Sequence, residues 1–143
     1  MLDCTNNIRQ CYMNLLEGNV IYNGKAITVY GQTPFVTTPN TYILLGSVTE
    51  SADNNNQLFV TDADIDINII VEQYRRPDLS VVDAISSLVL NLILPSTGIQ
   101  DVGDADFQIY PLSRISSRYL PMEDGDVYYS RKILTINNSV IQK

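Results

Sequence analysis

Asp62-Ala63-Asp64-Ile65-Asp66-Ile67-Asn68-Ile69-Ile70-Val71-Glu72 carries Ala63, Ile65, Ile67, Ile69 and Val71 on one side and Asp62, Asp64, Asp66, Asn68 and Glu72 on the other. A period of two sends successive side chains to opposite faces of a strand, so one face joins a core and the other is acidic and wet. Arg75-Arg76-Pro77 closes this strand, and Ser80 with Asp83 three residues later resembles a capping box that opens a helix. Within that helix Val81, Val82, Ala84, Ile85, Leu88, Val89, Leu92 and Ile93 form an apolar stripe wider than a one-sided surface helix needs, and Pro95 marks its end. Such a helix lies across a sheet or is shared with a partner. A half-buried strand followed by a strongly apolar helix sets the expected class as α+β.

Upstream, Thr41-Tyr42-Ile43-Leu44-Leu45-Gly46 reads as a strand buried on both sides, and Ser51 to Gln57 as a mobile polar loop. Val20-Ile21-Tyr22 and Ala26-Ile27-Thr28-Val29-Tyr30 flank Asn23-Gly24, a pair that tolerates the positive φ of a type I′ turn, and so predict a hairpin. Before it, Ile8, Cys11, Tyr12, Leu15 and Leu16 repeat at helical spacing from about Asp3 to Glu17, with Asp3 or Thr5 as cap and Gly18 as stop. Asn6, Arg9, Gln10 and Asn14 fall on the wet side of that helix.

Downstream of a Gly- and Asp-rich loop from Ser96 to Asp106, Phe107-Gln108-Ile109-Tyr110 begins another strand. Arg114 to Leu120 pairs with Val127 to Ile136 across a turn at Glu123-Asp124-Gly125. Tyr119, Tyr128 and Tyr129 gather there with Arg114, Arg118, Arg131 and Lys132, the aromatic and arginine chemistry that interfaces favour, although a solvated hairpin fits the same pattern. The full expectation is one domain over residues 1–143: an antiparallel or mixed sheet packed against two main helices, with β-hairpins extending from the sheet.

At 143 residues the chain can bury roughly 70% of its unfolded surface around one core. It contains no His, which removes the commonest general base and the commonest nitrogen ligand. No Gly-x-Ser-x-Gly elbow, Ser-x-x-Lys pair, Walker loop or dinucleotide fingerprint can be assembled from its isolated glycines and hydroxyls. An enzyme is therefore not expected, nor is a cofactor. The net charge of −7, from 9 basic and 16 acidic residues, disfavours a tight grip on nucleic acid but allows DNA to pass an acidic wall without sticking. Val81 to Leu94 is too short and too polar to cross a bilayer, and the first residues lack the pattern of a secretory signal, so synthesis in the cytosol is expected. Cys4 and Cys11, about 10 Å apart along one helix, are beyond disulfide reach and are expected as free thiols.

Asp62, Asp64 and Asp66 project together from alternate positions of one strand, and this invites a cation reading. The EF-hand version fails, because Ile67 and Gln73 stand where Gly and Glu are required. Two readings remain: a charged outer strand face, and a small cation-binding module or carboxylate-based metal-dependent enzyme with Glu72 or Glu50 completing the site.

The order of elements, through Asn40 to Ser47, Ile65 to Arg76 and Ser80 to Leu94, resembles the tail-completion proteins of tailed bacteriophages. In that family a variable N-terminal helix precedes a Pro-Tyr-apolar-apolar-Gly type strand, a strand ending in an aromatic and basic residues, and a helix opening on Ser or Asp. The resemblance implies a non-enzymatic virion protein, made in the host bacterial cytoplasm, that forms a ring of six or twelve copies at the head-tail junction. Its partners would be further copies of itself, the portal-side adaptor and the tail, with DNA passing through and no membrane. On this view Asp62, Asp64 and Asp66 help line the channel, while Tyr119, Tyr128, Tyr129, Arg118 and Arg131 meet the next subunit.

Overall fold

The computed structural model describes residues 3–33, 38–52, 60–74, 78–120, 122–125 and 127–143. In chain order the elements are α1 (Thr5–Leu16), β1 (Ile21–Tyr22), β2 (Lys25–Ala26), β3 (Thr28–Tyr30), β4 (Thr41–Ala52), β5 (Val60–Tyr74), α2 (Leu79–Ile93), β6 (Phe107–Tyr119), β7 (Met122–Asp124) and β8 (Val127–Gln142). The main sheet runs β3-β4-β5-β8-β6, with β7 also paired to β8, and β1-β2 is a separate ribbon. All main-sheet pairs are antiparallel except β3 with β4. The fold is α+β, as the patterning predicts.

The central strand is the acidic one. β5 pairs along its length with β8, from Val60 opposite Ile141 to Tyr74 opposite Val127, and β4 flanks its other side. Ala63, Ile65, Ile67, Ile69 and Val71 are buried with Ile43, Leu45, Leu134, Ile136 and Val140. Onto this face α1 packs Ile8, Tyr12 and Leu16, and α2 packs Val82, Ile85, Val89 and Ile93. Of the stripe read from α1, Ile8, Cys11, Tyr12 and Leu16 are buried and Leu15 is partly covered, and Gly18 follows that helix with a φ of 77°.

Several boundaries depart from the sequence expectation. The Asn23-Gly24 turn forms with both φ positive, at 50° and 77°, but the strand after it breaks at Ile27. Its second half, β3, leaves the ribbon and joins β4 in parallel, Val29 opposite Ile43. β4 is buried on one side, since Tyr42 and Leu44 are only half covered, and it continues through Ser51 and Ala52. The remainder of the expected polar loop, and Arg75-Arg76-Pro77, lie outside the described residues. The cap of α2 is Asp78, whose carboxylate accepts from the Ser80 amide, in place of the Ser80 and Asp83 box. Finally, β6 is continuous from Phe107, because β-bulges between Pro111 and Ser113 and between Arg114 and Ser116 carry the pairing past Pro111.

Candidate functional site

The two faces of the sheet hold different chemistry. On the helix-covered face the phenol of Tyr12 donates to Asn138 Oδ1, while Asn138 Nδ2 donates to the carbonyls of Ala63 and Ile136, both at 3.1 Å. This buried amide is fully engaged and fixes α1 on the sheet, as a polar group without water requires. Burial also drives the Tyr12 phenol pKa upward.

Asp104 makes a second clamp. Its carboxylate accepts from Asn7 Nδ2 at 2.8 Å and from the backbone amides of Asp106 and Phe107, and the Asn7 bond does most to hold its pKa below the usual carboxylate range. Cys4 and Cys11 are free and buried, as expected, and their thiols face Glu50 and Asp104. Burial first, and those carboxylates second, push them up to about 12 and about 11. Neither is a reactive thiolate at neutral pH.

Among the described residues no helix covers the other face of the sheet. Asp62, Asp64 and Asp66 stand together on it as the alternation predicts, yet they are not equally free. Asp64 accepts from Asn137 Nδ2 at 2.8 Å, and Asp66 accepts from Thr135 Oγ1 at 2.7 Å and Ser47 Oγ at 3.2 Å, while Asp62 is exposed. No cluster of three metal-ligating side chains occurs among the described residues. Glu50 faces α1, accepting from Cys4 Sγ and Thr5 Oγ1, and Glu72 lies six positions from Asp66, about 20 Å along a strand. Neither completes a cage with the three aspartates.

The residues expected at an intersubunit contact are split between the two faces. Tyr119 turns toward α2, donating to Asp83 Oδ1 at 2.6 Å beneath the Lys132 ammonium, which lies 5.1 Å from its ring centroid and 3.0 Å from the same carboxylate oxygen. The Tyr119 bond, then Lys132, lowers the Asp83 pKa. Tyr128 follows Lys132 onto the helix side by parity, whereas Tyr129, Arg131 and Arg118 lie on the open side. Arg131 is held there by Asn68, whose Oδ1 accepts from its Nε at 3.1 Å and its Nη2 at 2.7 Å. Arg118 is exposed.

One residue on this side belongs, by its sequence pattern, only to the wet face of α1. Arg9 reaches past the edge of β4 and donates from Nη2 to the Gly46 carbonyl at 3.3 Å. A Cβ at Gly46 would lie 2.9 Å from Asn68 Nδ2 and 3.2 Å from Asp66 Cβ, so glycine is what permits the close approach. The result is an open cleft of about 510 Å³ bounded by Arg9, Gly46, Asp66, Asn68, Arg118 and Arg131.

No family model and no curated protein matches the sequence. The fold does have a counterpart among solved structures. A chain of the structure titled "Virion of native gene transfer agent (GTA) particle" superposes with a TM-score of 0.70 at 13% identity, covering 96% of each chain. The fold is shared with a virion chain. At that identity the likeness establishes architecture across nearly the whole length and leaves the side-chain chemistry to this sequence. No helix among the described residues is long and apolar enough to cross a membrane.

Proposed function

We infer that this chain is a structural component of a phage-like virion, acting as one domain that closes into a homo-oligomeric ring of six or twelve copies at the head-tail junction. The observation that carries this reading is the match of the whole fold to a chain of a virion, with 96% of both chains covered. The order of elements, which resembles tail-completion proteins, supports the position at the junction. The lack of His and of any nucleophile-base arrangement in the sequence agrees with a role in assembly instead of catalysis.

In this reading the work is geometric and electrostatic. Copies around an axis fix the symmetry at which the portal-side adaptor meets the tail, and the end of the open sheet face that bears Asp62, Asp64 and Asp66 looks toward the DNA path. Carboxylates there repel phosphate and let the duplex pass without adhering. The β6–β8 hairpin, with Tyr119, Tyr128, Tyr129, Arg118 and Arg131, reaches the next subunit.

The test is the triple substitution Asp62→Lys, Asp64→Lys and Asp66→Lys in the assembled particle. Particles should still form, but DNA delivery should fall at least about tenfold as the lumen begins to hold phosphate. Unchanged packaging, retention and ejection would exclude the acidic strand from the channel wall.

A further inference from the structure

The cleft between α1 and the open sheet face collects arginines from three separate elements: Arg9 of α1, Arg118 of β6 and Arg131 of β8. Clusters of like charge are costly unless an opposite charge is near. Here Arg131 is bound to the neutral amide of Asn68 and Arg9 to the neutral Gly46 carbonyl. The ion pair of Lys132 with Asp83 lies on the other face of the sheet. Arg9 Nε is moreover the one buried side-chain nitrogen or oxygen among the described residues that has no hydrogen-bond partner. One carboxylate, Asp66, lines the cleft with the three arginines; it accepts from Thr135 and Ser47 and makes no ion pair with them, so positive charge is in excess there.

We propose that this cleft is a carboxylate receptor, and that its occupant is an acidic side chain of a second copy of this chain. Guanidinium groups bind carboxylates through paired, charge-assisted hydrogen bonds, and three of them around one opening provide more donors than Asn68 and Gly46 consume. The chain holds acid to spare, with 16 acidic residues against 9 basic, and Glu17, Asp62 and Glu123 are exposed and in no ion pair among the described residues. Nucleic acid is a poorer fit. Asp66 sits in the cleft and Asp64 and Asp62 continue along the same strand, so an extended polyphosphate meets three carboxylates in succession where a single acidic side chain meets only the first. Because receptor and acid are different patches, each copy gives a carboxylate to one neighbour and receives one from the other, the heterologous contact from which rings are built. The inference rests on the ring reading and supplies it with a contact.

Sedimentation velocity of the full chain, as wild type, Arg118→Glu and Arg118→Gln, tests it. Arg118 is exposed, so its replacement should leave the thermal midpoint in place. Wild-type self-association should weaken about tenfold between 0.05 and 0.5 M salt, Arg118→Glu should weaken it at least about tenfold at low salt, and Arg118→Gln should fall between. A folded Arg118→Glu that assembles like wild type, or assembly indifferent to salt, overturns the receptor while leaving the ring intact. A wild type that stays monomeric removes the ring and the second copy together. A short DNA duplex that binds wild type and not Arg118→Glu assigns the arginines to nucleic acid instead.

Discussion

The two halves of β6 share one partner strand and differ in everything else. From Phe107 to Pro111 residues alternate between buried and half-buried, with Phe107 and Ile109 among the core side chains, whereas every residue from Leu112 to Leu120 is exposed. Both halves pair with β8, Phe107 opposite Gln142 and Tyr119 opposite Lys132. Hydrogen bonding to β8 therefore does not separate a structural strand from a presented one; what lies over the strand does. The change comes at the first bulge, and the residues without a partner opposite, Leu112 and Ile115, are 42% and 54% exposed. Bulges re-aim side chains and blunt an edge against indiscriminate pairing, so the outer half can offer apolar and arginine side chains outward without opening the core.

The largest expected effect tests the inner half. Phe107→Ala should destabilise the chain by about 3–5 kcal/mol in urea unfolding, through lost burial and the cavity left behind. Ile115→Ala, on the same strand, should move stability by no more than about 0.5 kcal/mol. Equal losses at the two positions would mean that the outer half is part of the folding core after all.

The smallest effect concerns the one clasp that ties the outer half to α2. Asp83 is held below its usual pKa by Tyr119 and Lys132, so its contribution is present above the unfolded value of 3.8 and is lost as pH falls through the lower folded value. Its side chain is 46% exposed, and solvent screening keeps the contribution below about 1 kcal/mol. Asp83→Asn should therefore lower stability slightly at pH 7 and flatten that acid-side decline, as unfolding curves across pH 2–6 would record. An unaltered pH profile would show that Tyr119 is not held in place by this carboxylate.

What could be read from the sequence follows from where local chemistry settles the matter. The side-to-side alternation of Ala63 to Val71, the stripe of Ile8, Cys11, Tyr12, Leu15 and Leu16, and the Asn23-Gly24 turn each depend on a few adjacent residues and appear in the structure, except that Asn68 and Ile70, on the side expected to be wet, are buried and Leu15 is only partly covered. The misread features depend on distant partners. β3 resembles the second arm of the hairpin until β4, more than ten residues later, offers it a parallel edge. Phe107 to Tyr110 and Arg114 to Leu120 read as separate segments until β8 shows that bulges at Leu112 and Ile115 join them into one strand. Arg9 reads as a solvated helix position because Gly46, which accepts its hydrogen bond, is 37 residues away. The tyrosines and arginines of the hairpin read as one group along the chain, but the structure divides them between the two faces, and the parity that sends Tyr119 to α2 and Arg118 to the open face depends on two bulges that no local pattern announces.

The most direct test of the account is the mass of the purified chain in solution, measured by multi-angle light scattering over a range of concentrations at low salt. The 16.0 kDa chain should give one discrete species of six or twelve copies, seen as closed rings in negative stain. A strict monomer at every concentration would contradict a ring built from this chain alone.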